Sequence, residues 1–260
     1  MHPAVRAANL VCASVRFMLT LEAGRLRPDV YWALAKPAAK LPWLQRTLAA
    51  VVPEIVGCYP FYAMGAYPLD MSQYSRLFKS TRLPQIGRDS LITPNNKSRH
   101  IVVFRGANVY RIDVLTTTVN GSIVEPVEPA SLEAQLRAVI IDDDRRRGAV
   151  GVSAAVGVLT AAGRDEWARA RAELCRSHVN AASLAEIDSA LFALTLDDSM
   201  PDSAEELSRT MLHGNGRNRW FDKVRLLVLR ARQASPSMCI FTATARVATL
   251  FRHLRRSAST

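Results

Sequence analysis

The run Arg99-His-Ile-Val-Val-Phe-Arg-Gly-Ala-Asn-Val-Tyr-Arg-Ile-Asp-Val-Leu115 reads as two strands joined by a tight turn. Ile101–Phe104 is a short apolar run, Gly106 to Asn108 carries turn chemistry, and Val109–Leu115 alternates, with Tyr110, Ile112 and Val114 on one face. Strict alternation of this kind is the mark of a half-buried strand. On the C-terminal side, Leu132–Ile141 has a helical period, Asp142 to Gly148 reads as a charged break, and Val156–Thr160 reads as a short strand. A helix starting near Arg164 places Trp167, Arg171 and Leu174 on one face, and Leu191–Leu196 reads as a further strand. Ser183-Leu-Ala-Glu186 and Ser203-Ala-Glu-Glu206 both match the capping-box pattern, in which each side chain satisfies a free backbone donor at the other end of the first turn.

Toward the N-terminus, Val11, Val15 and Met18 share a helical face that Gly24 and Pro28 bring to an end. A second helix is expected at Leu44–Val52, and a short one at Ser72–Phe78, after the aromatic passage Cys58–Tyr62. Helices interleaved with strands predict an α/β or α+β layered fold. The longest uncharged run, Gly148 to Gly163, falls short of a bilayer span, so no transmembrane helix is expected.

Half of the residues are hydrophobic (49%), enough for a real core. The net charge of +11 raises the question of nucleic acid or anionic lipid. Its distribution answers part of it: Val224 to Thr260 holds seven arginines and no acid, so the rest of the chain is only mildly basic. Charge without a stacking motif gives non-specific affinity alone, which argues against a specific nucleic-acid partner. The four cysteines, Cys12, Cys58, Cys175 and Cys239, lack the spacing of a disulfide framework or a zinc site and read as free thiols. The first ten residues match neither a signal peptide nor a transit peptide.

No catalytic constellation is evident. Of the five histidines, His2 is terminal, His100 opens the hairpin, and His178 lies near a helix end where a positive imidazole would favour the dipole. His213 precedes a Gly-rich turn, and His253 lies among arginines. Each reads as structural or surface-exposed, and His253 has no evident orienting carboxylate. Gly214-Asn-Gly216 is a helix C-terminal turn, too short for a phosphate loop. Asp142-Asp-Asp144 is paired by the following Arg145-Arg-Arg147 into a solvated loop, so no metal site is assigned.

Longer strings carry more. Ala66-Tyr-Pro-Leu-Asp-Met-Ser-Gln-Tyr-Ser-Arg-Leu-Phe-Lys-Ser-Thr-Arg-Leu-Pro84 is followed by Arg99–Phe104 with Val109–Val114. Next come Val158-Leu-Thr-Ala-Ala-Gly-Arg-Asp-Glu-Trp-Ala168, then Ala190-Leu-Phe with Leu196-Asp-Asp198. The last is Leu212-His-Gly-Asn-Gly-Arg-Asn-Arg-Trp-Phe-Asp-Lys223. In this order the five blocks resemble the choline/carnitine acyltransferase family. The opening Arg6-Ala-Ala-Asn-Leu10, Leu21-Glu-Ala-Gly-Arg-Leu26 and Ser98-Arg-His100 are similar to its inner-membrane palmitoyltransferases rather than to the acetyl- or outer-membrane forms.

The resemblance covers about Val5 to Lys223. It implies an α/β fold, the N-terminal part of a two-lobed, coenzyme A-dependent acyltransferase with a mixed sheet and flanking helices, over 1–223, followed by a basic tail of doubtful origin over 224–260. It further implies acyl transfer between coenzyme A and carnitine on long-chain groups, a mitochondrial location at the matrix side of the inner membrane, and no bound cofactor, the coenzyme A thioester being substrate. The family's base, a histidine in a Glu-His-Ser context after the Trp-Phe-Asp-Lys motif, has no counterpart here: Val224–Arg232 and Gln233–Cys239 follow, with no Glu-His pair. No catalytic residue is therefore assigned, and the chain as given is expected to be inactive, a truncated or mis-spliced product; a non-catalytic module binding lipid or a partner is the alternative. By resemblance Tyr62 and Tyr74 line the substrate tunnel, where an aromatic ring serves an acyl chain and a hydroxyl serves a polar group. By the same resemblance Val127–Val158 takes the place of a membrane-anchoring insert, where Leu132, Leu136, Ile140 and Ile141 with Arg145–Arg147 allow a surface contact with anionic lipid, a solvated helix and loop being the alternative.

Overall fold

The computed structural model describes residues 2–26, 30–32, 66–68, 72–94, 97–117, 124–146, 155–230 and 239–242. The chain divides into two compact units, one of Thr20–Ser75 and one of Met1–Leu19 with Arg76–Thr260. In the smaller unit β1 (Val30–Trp32) pairs antiparallel with β2 (Ala66–Pro68), and Ser72–Arg76 forms a 3-10 turn where a short helix was expected. The expected helix at Leu44–Val52 and the passage Cys58–Tyr62 lie outside the described residues.

The larger unit is built on a five-stranded mixed sheet. Its strands are β5 (His100–Arg105), β6 (Asn108–Asp113), β9 (Ala193–Asp197), β10 (Arg225–Leu229) and β11 (Cys239–Thr242), in the order β11-β10-β9-β5-β6. β5, β9 and β10 run parallel, and β6 and β11 are antiparallel edges. The predicted hairpin is present, with Ile101 opposite Ile112 and Phe104 opposite Val109. Gly106 turns it at φ 57, a conformation that favours glycine. Small antiparallel pairs complete the unit: β3 (Thr81–Leu83) with β4 (Ser90–Ile92), and β7 (Leu115–Thr117) with β8 (Val124–Pro126).

β5 and β10 are buried at every position, as parallel strands covered on both faces must be. Alternation sends Val102, Phe104 and Ala193 to one face and Ile101, Val103 and Leu194 to the other. The first face meets α3 (Arg164–Leu174) and α4 (His178–Ser189) through Trp167, Leu184, Ile187 and Trp220. α5 (Ala204–Leu212) adds Met211 against Leu227 and Leu229. Trp220 stacks on Phe104 at 5.8 Å and meets Trp167 edge-on at 6.0 Å, geometries that aromatic quadrupoles favour. A second aromatic series, Phe17–Phe78–Phe192, ties α1 (Pro3–Glu22) to the residue that precedes β9.

Several readings are corrected here. α1 is long and apolar enough to cross a bilayer by length and composition, although Arg6 and Arg16 interrupt its uncharged run. Its Ala4, Ala7, Val11, Val15 and Met18 face is buried in the fold, as in a core helix. The predicted strand at Val156–Thr160 is a 3-10 turn, Val156–Ala161, because Thr160 donates to the Gly157 carbonyl at 2.6 Å and accepts from the Phe221 amide at 3.1 Å. Asp142 to Gly148 is no break as far as Arg146, since α2 (Pro129–Arg146) continues through it. Of the two capping boxes only Ser203 caps, accepting from the Glu206 amide at 3.0 Å, while Glu206 receives the Asp202 amide. Ser183 lies inside α4 and donates back to the Val179 carbonyl.

Candidate functional site

Three of the five sequence blocks, with acidic and basic residues of α3 and α4, meet in a buried polar frame beneath the sheet. Asp222, 4% exposed, accepts from the Trp167 indole at 2.7 Å and from Arg82 Nε at 2.7 Å. Its backbone carbonyl accepts from the Arg82 amide at 2.7 Å and the Thr81 hydroxyl at 3.2 Å. Arg82 also reaches Asp89, which Arg164 holds from the start of α3 at 3.0 Å. One carboxylate thus joins Arg82, Trp167 and Asp222, one residue from each of three blocks.

Lys223 lies beside it and is 5% exposed. Its ammonium donates to the Ser80 carbonyl at 3.1 Å and the Asp188 carbonyl at 2.8 Å. Burial pushes its pKa down to about 7, only partly opposed by the Asp188 carboxylate. Burial raises the Asp188 carboxyl despite its contact with Arg171. Asp222 and Lys223, at the end of the Trp-Phe-Asp-Lys motif, are both interior groups. Their partners lie far away in sequence, so local spacing gave no signal of burial.

The glycine turn forms a third part. Arg219 is fully buried, and it donates to Asp197 at 2.7 Å and the Thr210 carbonyl at 2.8 Å. Burial alone would raise the Asp197 pKa, but bonds from Ser199 and the Arg219 guanidinium outweigh it and hold the carboxyl low. Gly214 and Gly216 have φ of 53 and 74, so the predicted C-terminal turn is present. Arg225 lies over the Phe221 ring at 4.4 Å, its pKa lowered to about 10 by burial and by Arg219.

Asp142-Asp-Asp144 departs from its predicted role as a solvated loop. Asp143 is fully buried, receiving the Asn108 side chain at 2.8 Å and lying 3.2 Å from Arg105. Arg105 also pairs with Asp144 and Asp198, while Asp142 pairs with Arg146 and accepts from Tyr110. The aspartates are thus divided among Arg105, Arg146 and two polar side chains, a helix-to-sheet clasp.

The histidines divide as follows. His100 is buried, its Nε2 2.9 Å from the Glu186 carbonyl. His178 opens α4, so the expected dipole benefit has the opposite sign: a cation is disfavoured at an N-terminus. His213 is exposed at the end of α5, and His253 lies outside the described residues. Of the two tunnel residues, Tyr62 lies outside the described residues; Tyr74 is half-buried in the 3-10 turn of the smaller unit. Of the cysteines, Cys12 is buried and Cys175 exposed, both free.

Among the described residues, Arg82, Trp167, Asp222 and Lys223 thus form one buried polar frame. The sequence profile of the choline/carnitine O-acyltransferases matches residues 1–237. Carnitine O-palmitoyltransferase 2, mitochondrial, of Homo sapiens is 41% identical over 224 residues, covering 86% of this chain and 32% of that protein. Its Xenopus tropicalis counterpart is 39% identical over 219 residues, covering 84% and 31%. The muscle isoform of carnitine O-palmitoyltransferase 1 of Rattus norvegicus is 34% identical over 176 residues, covering 65% and 22%. The chain spans about a third of the length of the first two relatives. Its ordered blocks and the frame they build have one common source: the chain belongs to the choline/carnitine O-acyltransferase family.

Proposed function

We propose that these residues form the N-terminal scaffold of a carnitine O-palmitoyltransferase, which passes long-chain acyl groups between coenzyme A and carnitine. The observation that carries this reading is the convergence of Arg82, Trp167, Asp222 and Lys223 in one buried frame, in a chain 41% identical to carnitine O-palmitoyltransferase 2. In this reaction a base takes the carnitine hydroxyl proton and the alkoxide attacks the thioester. The scaffold's part is to hold the strand after Lys223 in register, from which the chain leads toward the base. Because no Glu-His pair follows, the chain as given does not itself perform the transfer.

Tyr62 and Tyr74 are assigned to the substrate tunnel, and the location to the matrix side of the inner mitochondrial membrane, the relatives being named mitochondrial. A peripheral membrane contact is assigned to Val127–Val158, where Ile141 and Arg145 are exposed on α2. We infer that the arginine-rich, acid-free end set at 224–260 departs from the family pattern; the family match to residue 237 and the strand Arg225–Leu229 favour a later departure than Lys223.

A chimera of residues 1–223 with the remainder of the human relative tests the reading. It should release coenzyme A from palmitoyl-coenzyme A only with carnitine present, and Tyr74→Ala should raise KM at least severalfold. The 260-residue chain alone should show no carnitine-dependent release. A folded but inactive chimera would overturn the scaffold role, and turnover by the chain alone would overturn its assigned inactivity. The second reading, a non-catalytic module, rests on the missing Glu-His pair and gains if the chain alone binds anionic vesicles tightly.

A further inference from the structure

The turn that ends α5 carries a chemistry that the buried polar frame does not use. His213-Gly-Asn-Gly-Arg217 leaves the helix with Gly214 at φ 53 and Gly216 at φ 74. Asn215 is exposed, and its Oδ1 accepts from the Arg217 amide at 3.1 Å, a local turn in which an asparagine side chain stands in for backbone. That bond keeps the carboxamide folded toward the intervening Gly216 peptide, whose nitrogen can close a five-membered ring on Asn215 Cγ. Gly216 has no side chain to resist the approach. The space beside it is open, since the nearest neighbour of a Cβ placed there would be Val158 at 3.9 Å. Asn180 is also exposed but is followed by Ala181 inside α4, where the helix fixes the peptide and the Ala181 amide is held by the Ser177 carbonyl at 2.9 Å.

We propose that Asn215 is a site of spontaneous deamidation, an age-dependent modification of this chain. The Gly216 N–H gives its proton to hydroxide, and the nitrogen bonds to Asn215 Cγ. The carboxamide C–N bond breaks, and its nitrogen leaves as ammonia after regaining a proton from solvent. The resulting succinimide takes up one water and opens at one carbonyl to aspartate, or at the other to isoaspartate. The Gly216 N–H is held by the His213 carbonyl at 3.1 Å, so each event waits on a local opening of this exposed turn. The two products differ in effect. Aspartate keeps a side-chain oxygen for the Arg217 amide and leaves the backbone unchanged. Isoaspartate lengthens the backbone by one carbon in a turn that packs on Arg219, whose guanidinium lies 2.7 Å from where a Gly214 Cβ would stand. Arg219 in turn holds Asp197 and the Thr210 carbonyl, so isoaspartate loosens the turn from the interior. The modification requires neither coenzyme A nor carnitine and does not depend on acyl transfer.

The test incubates the 260-residue chain in mildly alkaline buffer at physiological temperature and maps its peptides by mass spectrometry. The peptide holding Asn215 should lose the mass of ammonia, then gain that of water, and should accept methyl groups from an isoaspartyl carboxyl methyltransferase. Conversion should be at least tenfold faster than at Asn180. The isoaspartate form should melt at a lower temperature than the parent, whereas Asn215→Asp, with its normal backbone, should keep the parent's midpoint. Conversion no faster than that of Asn180, or methyl incorporation in this peptide that persists in Asn215→Ser, would overturn the site. An isoaspartate form as stable as the parent would overturn its coupling to Arg219. Failure here leaves the chimera's acyl-transfer result unaffected.

Discussion

Lys223 is the residue whose environment has the clearest solution signature. Its folded pKa, near 7, lies below the roughly 10.4 of an unfolded lysine, so between those values the unfolded chain binds the extra proton. Stability should therefore rise as pH climbs from about 7 toward about 10, read as the urea midpoint at successive pH values. Lys223→Met should flatten that slope even though it leaves the Ser80 and Asp188 carbonyls without their donor. Tyr110 acts at the upper end: desolvation, then the Asp142 bond, push it up to about 12, so stability should fall as pH rises above about 10. Trp167→Phe keeps the ring but removes the donor to Asp222; it should cost about 1–3 kcal/mol by denaturant titration. An unchanged midpoint would mean that Arg82 alone satisfies the carboxylate. The residue types in this frame were legible as matched motifs, but their inward direction was not. Nothing near Asp222 announces that Arg82 and Trp167 will meet it, because those contacts exist only after the sheet closes.

Among the elements, α5 owes its start to Ser203, whose hydroxyl satisfies the Glu206 amide. Ser203→Ala should cost about 1 kcal/mol, seen as a lower thermal midpoint, and Ser203→Asp should restore it. Ser183→Ala, matching the same sequence pattern, should cost far less, because it removes only a back-bond inside α4. The pattern was sound at one site and misleading at the other, since a capping box depends on where the preceding turn ends. Here Ser177 already precedes α4. The Val156–Ala161 turn shows a similar limit. A short apolar run cannot choose between strand and helix by its period, and here a tertiary contact chooses. A Cβ on Gly157 would lie 2.3 Å from the Arg219 carbonyl, so Gly157→Ala should destabilise by about 1–3 kcal/mol in the same titration. A fully tolerated alanine would show that the turn shifts freely against the 217–219 backbone. The hairpin, by contrast, was readable because its whole logic, alternation plus Gly106, is local.

For the whole molecule the determining feature is the parallel centre of the sheet. β10 is buried at every position and is flanked on its outer side by β11. Ending the chain after Arg230 removes that neighbour and exposes a row of unpaired backbone groups on a hydrophobic strand. The shortened protein should self-associate, measured as increased light scattering and early elution from a sizing column; a monodisperse monomer would show that β11 is dispensable. Interleaved periodicity predicted a layered fold of helices and strands, and the family resemblance a mixed sheet with flanking helices, but neither gave the strand order, which depends on pairings between distant segments.

The same parallel centre has a consequence during synthesis. Val102 finds its neighbour only when Ala193 has been made, and Ala193 in turn waits for Arg225. A ribosome adding about 5–20 residues per second leaves the finished hairpin as a lone, oily ribbon for several seconds. Distant pairing of this kind is slow and exposed to wrong partners, so the nascent chain should depend on holdase chaperones until the segment around Leu229 clears the exit tunnel.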